Sequence, residues 1–267
     1  MMGKVLDNLP KYSLWLALAL LGWLAIAVFG PKLGVIGWQT GFGFMTVTAG
    51  PILMAVVALV ALVALAATLL RRPRRPWWKA AVALAIPAIL FTALLQMRAR
   101  SQEVPPIHDV STDLRNPPQY SAATLALRRE AGANPLVDYG TPLGEMEMWQ
   151  GVDRDLAIRN HADIIAGEYG DLQPIPVGRA TREEAMNAVV AAMGEIGLQD
   201  VRTDSAAGLV EGTAETFAYG FRDDVVARIT DTRIDLRSAS RVGVSDLGYN
   251  AERLRDLSDA IEDRLGR

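Results

Sequence analysis

Cysteine is absent from this 267-residue chain and histidine occurs only twice, at His108 and His161. A disulfide scaffold, an iron–sulfur cluster, a cysteine nucleophile and thiolate-bound zinc are therefore excluded, as is a histidine-rich metal site. Two further scarcities are regional. No acidic residue lies between Asp7 and Glu103, and no lysine lies in 101–267. Residues 1–100 carry ten basic side chains against one acid, whereas 101–267 carry 17 arginines against 29 acids, a formal charge of −12. The only dense basic cluster, at 71–79, sits between apolar runs, which argues against a nucleic-acid binder.

The half with a single acid reads as membrane. Lys11 and Lys32 bracket twenty uncharged residues, long enough to cross the hydrocarbon core as a helix, with Tyr12, Trp15 and Trp23 as interface anchors. The spans are expected at about 12–29, 44–70 and 80–97, the last containing Pro87, which a membrane helix tolerates. The Gly-rich stretch 30–43 reads as a short outer loop. The 71–79 loop holds Arg71, Arg72, Arg74, Arg75 and Lys79 against the single Lys32 of the first loop. The excess places 71–79 and the N-terminus in the cytoplasm and everything from residue 98 outside, in the periplasm of a bacterial inner membrane. A competing reading takes the first apolar run, with Ala25 and Ala27, as a cleavable signal peptide. The run is long for that, and a retained helix is the stronger reading. The spans carry no buried charge of the kind that marks an ion path, so they read as an anchor with the lipid bilayer as partner.

A Pro-rich tether is expected at 98–120, because Pro105, Pro106, Pro117 and Pro118 disfavour helix. From 121 to 267 the chain reads as an α+β domain. The stretch 131–178 yields only a helix near 153–166. Thr181 and Glu184 form a capping box ahead of an apolar helical face through Ala185, Val189, Ala192, Met193 and Ile196. Strands are expected at 208–218, 224–230 and 233–239, with a fourth at 199–204, and a final helix at 250–265. Period-two alternation with one apolar face implies a small antiparallel sheet with both helices packed on one side.

The charged sheet face gathers Glu211, Glu215, Arg228, Asp235 and Arg237. Its plainer interpretation is a solvated surface with cross-strand ion pairs. The sharper one is an anion site of Arg228, Arg237 and Arg241, since an arginine fork grips a carboxylate or phosphate with two bonds. The turn 237–250 adds Ser240, Asp246 and Asn250, where Asp246 or Asn250 can also cap the last helix. It matches neither a phosphate loop nor a nucleophile elbow. His108, Asp109 and Asp113 lie in the tether, and an Ile-His-Asp run there is expected to dock on the domain, with the 237–250 turn as its neighbour. Asp223 and Asp224 open a strand, an oxygen-ligand cation site being the remote alternative.

The runs PPIHDVSTD (105–113), YGDLQPI (169–175), FRDDVVARI (221–229) and IDLRSASRVGVSDLGYNAERL (234–254) resemble the bacterial family named for its domain of unknown function, DUF1499, here fused to three N-terminal membrane helices. The resemblance spans roughly 103–265. Relatives read closer to Tyr-Pro-Asp where this chain has Tyr169, Gly170 and Asp171. It implies no activity, substrate or cofactor. The expected function is a periplasmic module binding a small anionic ligand or another envelope protein through His108, Asp109, Asp113, Arg228, Arg237, Ser240, Arg241, Asp246 and Asn250. No catalytic residue, metal, cofactor or nucleic acid is expected, and the oligomeric state stays open. The alternatives are a hydrolase or transferase with a composite site from the tether and the 237–250 turn, and a purely structural subunit of a membrane complex.

Overall fold

A computed structural model describes residues 2–70 and 76–266. The basic cluster Arg71, Arg72, Arg74 and Arg75 lies outside the described residues. The chain divides into two compact units, one of Met1–Arg100 with Phe217–Gly220, the other of Ser101–Thr216 with Phe221–Arg267.

The first unit contains helices α1 (Met2–Lys32), α2 (Ala49–Leu70) and α3 (Trp78–Glu103). Among the described residues three helices are long and apolar enough to cross a membrane. The second does not begin at 44 as the sequence implied. A π-type helical segment, Gln39–Thr48, leads directly into α2, and α1 runs to Lys32, so only 33–37 of the stretch expected as a loop is non-helical. Glycine permits this. Gly41 lies so close to Ala27 O and Pro31 of α1 that a Cβ there would collide with both. Small residues are buried in this unit, with Ala17, Ala27, Ala61, Ala64, Ala80 and Ala83 fully covered. Membrane helices associate through such close packing because lipid supplies no hydrophobic drive between them.

The second unit is an antiparallel sheet in the order β1-β6-β5-β4-β3. Its strands are β1 (Asp109–Ser111), β3 (Gln199–Asp204), β4 (Leu209–Glu215), β5 (Arg222–Ile229) and β6 (Arg233–Ser240). A two-residue β2 (Ile175–Pro176) pairs with β6 as well. Helices α7 (Arg182–Glu195) and α8 (Tyr249–Arg264) accompany them. The expected order of helix, four strands and helix is present, and the capping box is formed, with Glu184 N donating to Thr181 Oγ1 at 3.2 Å and Thr181 N to Glu184 Oε2 at 2.7 Å. Val210, Val225, Ala227, Ile229, Ile234 and Leu236 join Val189, Met193, Leu254, Leu257 and Ile261 in one core.

The opposite face departs from expectation. Instead of facing solvent, it is covered by Tyr120, Leu136 and α4 (Ala122–Glu130), which pack on Val226, Ala239 and Leu209. Glu211, Asp224, Asp235 and Arg237 are all at most 4% exposed. Binary patterning could not show this, because α4 contributes buried polar groups to an already polar strand face. The 131–178 stretch contains two single 3-10 turns, α5 (Arg154–Ala157) and α6 (His161–Glu168). It closes the core with Tyr139, Leu143, Trp149, Ile164 and Ile165. The tether is docked: β1 pairs with β6, placing Asp109 opposite Ala239 and Ser111 opposite Arg237.

Candidate functional site

β1 sets the geometry of the site. It carries Asp109 to the covered polar face of β6, where Arg237 meets it side-on. Nε donates to Oδ1 at 2.9 Å and Nη2 to Oδ2 at 2.6 Å. Arg237 Nη1 donates to Pro118 O at 3.2 Å, and Tyr139 Oη donates to Asp109 Oδ1 at 2.8 Å. The Tyr120 and Tyr139 rings lie 5.7 and 5.3 Å from the guanidinium carbon. Arg237 and Asp109 are 2% and 0% exposed. Burial works to raise the Asp109 carboxyl, but the Arg237 charge and the hydrogen bonds it accepts hold it below the ordinary carboxylate range. Burial likewise opposes the Arg237 charge, and Asp109 overrides it. The same low-dielectric surroundings push the Tyr139 hydroxyl well up, so it stays a donor.

Beside this pair stands an aromatic cluster. The His108 ring stacks on the Trp149 indole at 5.4 Å, and His161 meets the same indole edge-on at 5.1 Å. Trp149 Nε1 donates to Pro106 O at 2.6 Å, fixing the indole against the docked tether. Both imidazoles are fully buried, and neither ring nitrogen of His161 has a hydrogen-bond partner. Burial lowers His161 to about 4. It also lowers His108, although the Asp109 charge and the Pro135 and Val244 carbonyls pull the other way. Both rings are neutral at pH 7 and serve as packing.

The remaining sequence-predicted residues do not join this pair. Arg241 grips Asp224 with two bonds, and Arg128 of α4 grips the same carboxylate at 2.7 Å. Arg228 bridges Asp113 and Asp235 at 2.9 and 2.7 Å, and Arg233 contacts both acids as well. Thus Arg228, Arg237 and Arg241 are each matched to their own carboxylates instead of converging on one anion. Ser240 and Asn250 lie on the α8 side of the sheet. Asn250 Nδ2 donates to His108 O and Ser240 Oγ, both at 3.0 Å. The cap position of α8 is Gly248, not Asp246 or Asn250; Asp246, two residues before it, accepts from Gly248 N and Asn250 N at 2.9 and 2.8 Å, and burial raises it to about 6. Asp223 and Asp224 point to opposite faces, one to Arg253 and one to Arg128 and Arg241, so the remote cation reading fails. Among the described residues no group of three or more His, Asp or Glu is placed to hold a metal.

Arg237, but not Asp109, lines an open cleft of about 610 Å³. Leu114, Pro117, Leu136 and Val137 supply apolar wall, Arg115, Gln119 and Asp138 supply polar wall, and Tyr139 and Arg237 close its base. The volume falls in the range of small-molecule sites. Sequence reasoning identified Arg237 and Asp109 but missed Tyr139, Trp149 and His161 in the weakly assigned 131–178 stretch, and the cleft wall that this stretch shares with the tether residues Leu114, Arg115, Pro117 and Gln119. One signal was available: Trp149 is the sole tryptophan of 101–267, and a lone large aromatic in a polar, Gly-rich stretch marks a core anchor.

No curated protein and no solved structure matches the chain. A family model does, over residues 109–261, which is more than half of the sequence and covers β1 through α8, including both members of the Asp109–Arg237 pair. The chain belongs to the family described as Protein of unknown function (DUF1499).

Proposed function

We propose that this protein is a membrane-anchored, non-catalytic binding module whose ligand site is the cleft above Arg237, with its α+β domain in the periplasm. The observation that carries it is a cleft of ligand size floored by a buried guanidinium whose orientation is locked from behind by Asp109. A pre-set polar group in a part-apolar concavity is what small-molecule recognition requires. Catalysis would need a titratable group poised near neutral pH within reach of a ligand. The cleft wall offers Arg115, Asp138, Tyr139 and Arg237, whereas both imidazoles are buried away from it.

The placement rests on charge: five basic residues in 71–79 against one in the first loop favour a cytoplasmic 71–79. In this Cys-free chain, an impermeant thiol reagent on intact cells should label Ser205→Cys and leave Arg74→Cys unlabelled; the reverse pattern overturns the placement. For the site, a fluorophore on Gln119→Cys at the rim should change emission when the full chain meets the small-molecule fraction of a cell extract. Adding Ala162→Trp to fill the cleft should abolish the change. A response that survives the filled cleft, or no response at all, removes the cleft as the ligand site.

A further inference from the structure

We infer that the cleft selects a zwitterion of amino-acid type, a free amino acid or short peptide bearing one carboxylate, one ammonium and an apolar side chain. This rests on the cleft being the ligand site and names what it takes. Three charged side chains line the cleft, Arg115, Asp138 and Arg237. The Arg237 charge is cancelled by Asp109, with which it shares two hydrogen bonds in full burial. Two charges remain, of opposite sign. The Arg115 side chain has no hydrogen bond or ion pair within the described residues, and Asp138 accepts only neutral donors, from Gly140 N at 3.1 Å and Thr141 Oγ1 at 3.2 Å. A simple anion would satisfy Arg115 and be repelled by Asp138. A simple cation would meet the converse. A ligand carrying both signs satisfies both.

Arg237 assigns the ends. Three of its five N–H donors are used, Nε and one on Nη2 by Asp109 and one on Nη1 by Pro118 O. One N–H on each terminal nitrogen is left without a protein acceptor in a side chain only 2% exposed. Buried donors without acceptors are costly, and a carboxylate offers two oxygens at the spacing of that fork. The carboxylate therefore lies between Arg237 and Arg115, the ammonium toward Asp138, and the apolar side chain against Leu114, Pro117, Leu136 and Val137.

The probe is the dipeptide Leu-Leu, titrated calorimetrically into the full chain in detergent micelles. Arg115 and Asp138 are exposed, so Arg115→Gln and Asp138→Asn leave the fold intact. Each variant should weaken Leu-Leu binding about tenfold, the scale of one charge-assisted contact. N-acetylation should weaken binding to the wild type but not to Asp138→Asn, and C-amidation should weaken binding to the wild type more than to Arg115→Gln, where the carboxylate keeps only the Arg237 fork. Capped and free peptides binding alike would overturn the inference. So would glycerophosphoethanolamine binding where Leu-Leu does not, since that assigns the cleft to a lipid headgroup. If Leu-Leu is silent while the Gln119→Cys reporter responds to extract, the amino-acid assignment fails and the ligand site stands; if both are silent, both fall.

Discussion

The membrane unit and the α+β unit solve the burial of polar atoms in opposite ways. The first removes charge from its interior. Between Lys11 and Lys32, and again from residue 33 to 70, there is no charged side chain, and the buried contacts join Ala17, Ala61 and Ala83 to Leu20, Met54 and Val57. Its hydroxyls turn back on their own helix, as Thr68 Oγ1 does to Ala64 O at 2.6 Å. The second unit concentrates charge inside, where Asp109, Asp224, Asp235, Arg128 and Arg237 are each at most 4% exposed. A buried ion pair adds little net stability over an apolar replacement, but losing one partner is expensive. The α+β unit is therefore brittle toward single charge changes, and the membrane unit is brittle toward changes of volume.

The sharpest way to break this contrast is Arg237→Leu, which strands Asp109 in a buried site. It should cost about 3–5 kcal/mol in denaturant unfolding of the α+β unit. Replacing both partners with leucine should recover much of the loss, and a single variant costing under about 1 kcal/mol would show that the pair is not as dry as its burial implies. In the membrane unit the corresponding change is Ala61→Leu. Overpacking that fully covered position should cost roughly 1–3 kcal/mol, read as a lowered melting temperature in micelles.

Acid provides a graded comparison, because the imidazoles and the titratable carboxylates with resolved shifts lie in the α+β unit. His161 titrates near 6.5 when unfolded and about 4 when folded. Its contribution is thus complete above pH 6.5 and lost as pH falls toward 4, at up to about 1.4 kcal/mol per pH unit. His108 acts in the same direction. Asp246, raised to about 6, acts oppositely: its favourable contribution is present below its unfolded value and lost as pH rises through 6. Asp109 is held low, so its share is lost only once pH falls below about 4, where an unperturbed carboxyl protonates. Stability measured from pH 7 to 4.5 should fall, less steeply in His161→Gln and more steeply in Asp246→Asn. A profile as steep in His161→Gln as in the wild type would contradict the burial of His161. The smallest expected effect is at the surface, where Thr181→Ala should cost about 1 kcal/mol by removing the α7 cap, with little change in the site.

Local regularity was legible wherever one period and one environment coincide. The three apolar spans, the capping box, the β4–β6 alternation and the α8 stripe all follow from spacing. The stretch 30–43 misled because its glycines signal a turn in water, whereas Gly41 here admits close helix contact. The covered polar face was hidden for a different reason. Arg228, Asp235 and Arg237 carry the same alternating signature whether water or Arg128 and Tyr120 lie above them. Docking of the tether was foreseeable from Ile107, His108 and Asp109, but the pairing of Asp113 with Arg228 and Arg233, instead of with the 237–250 turn, depends on strand register.

By itself, then, the sequence determined the division into a basic half built of uncharged apolar runs and an acidic α+β half, the order of the elements from α7 to α8, and the presence of Asp109 and Arg237 among the residues that matter. These follow from composition and from periods of 3.6 and 2, which are local properties of the chain. Tertiary structure decided the rest. It brought β1 across more than a hundred residues to seat Asp109 on Arg237, packed Trp149 of the 131–178 stretch against His108, and opened the cleft between segments that share no pattern. Those outcomes depend on which surfaces lose their water together, and that is fixed by long-range packing, not by any run of neighbouring residues.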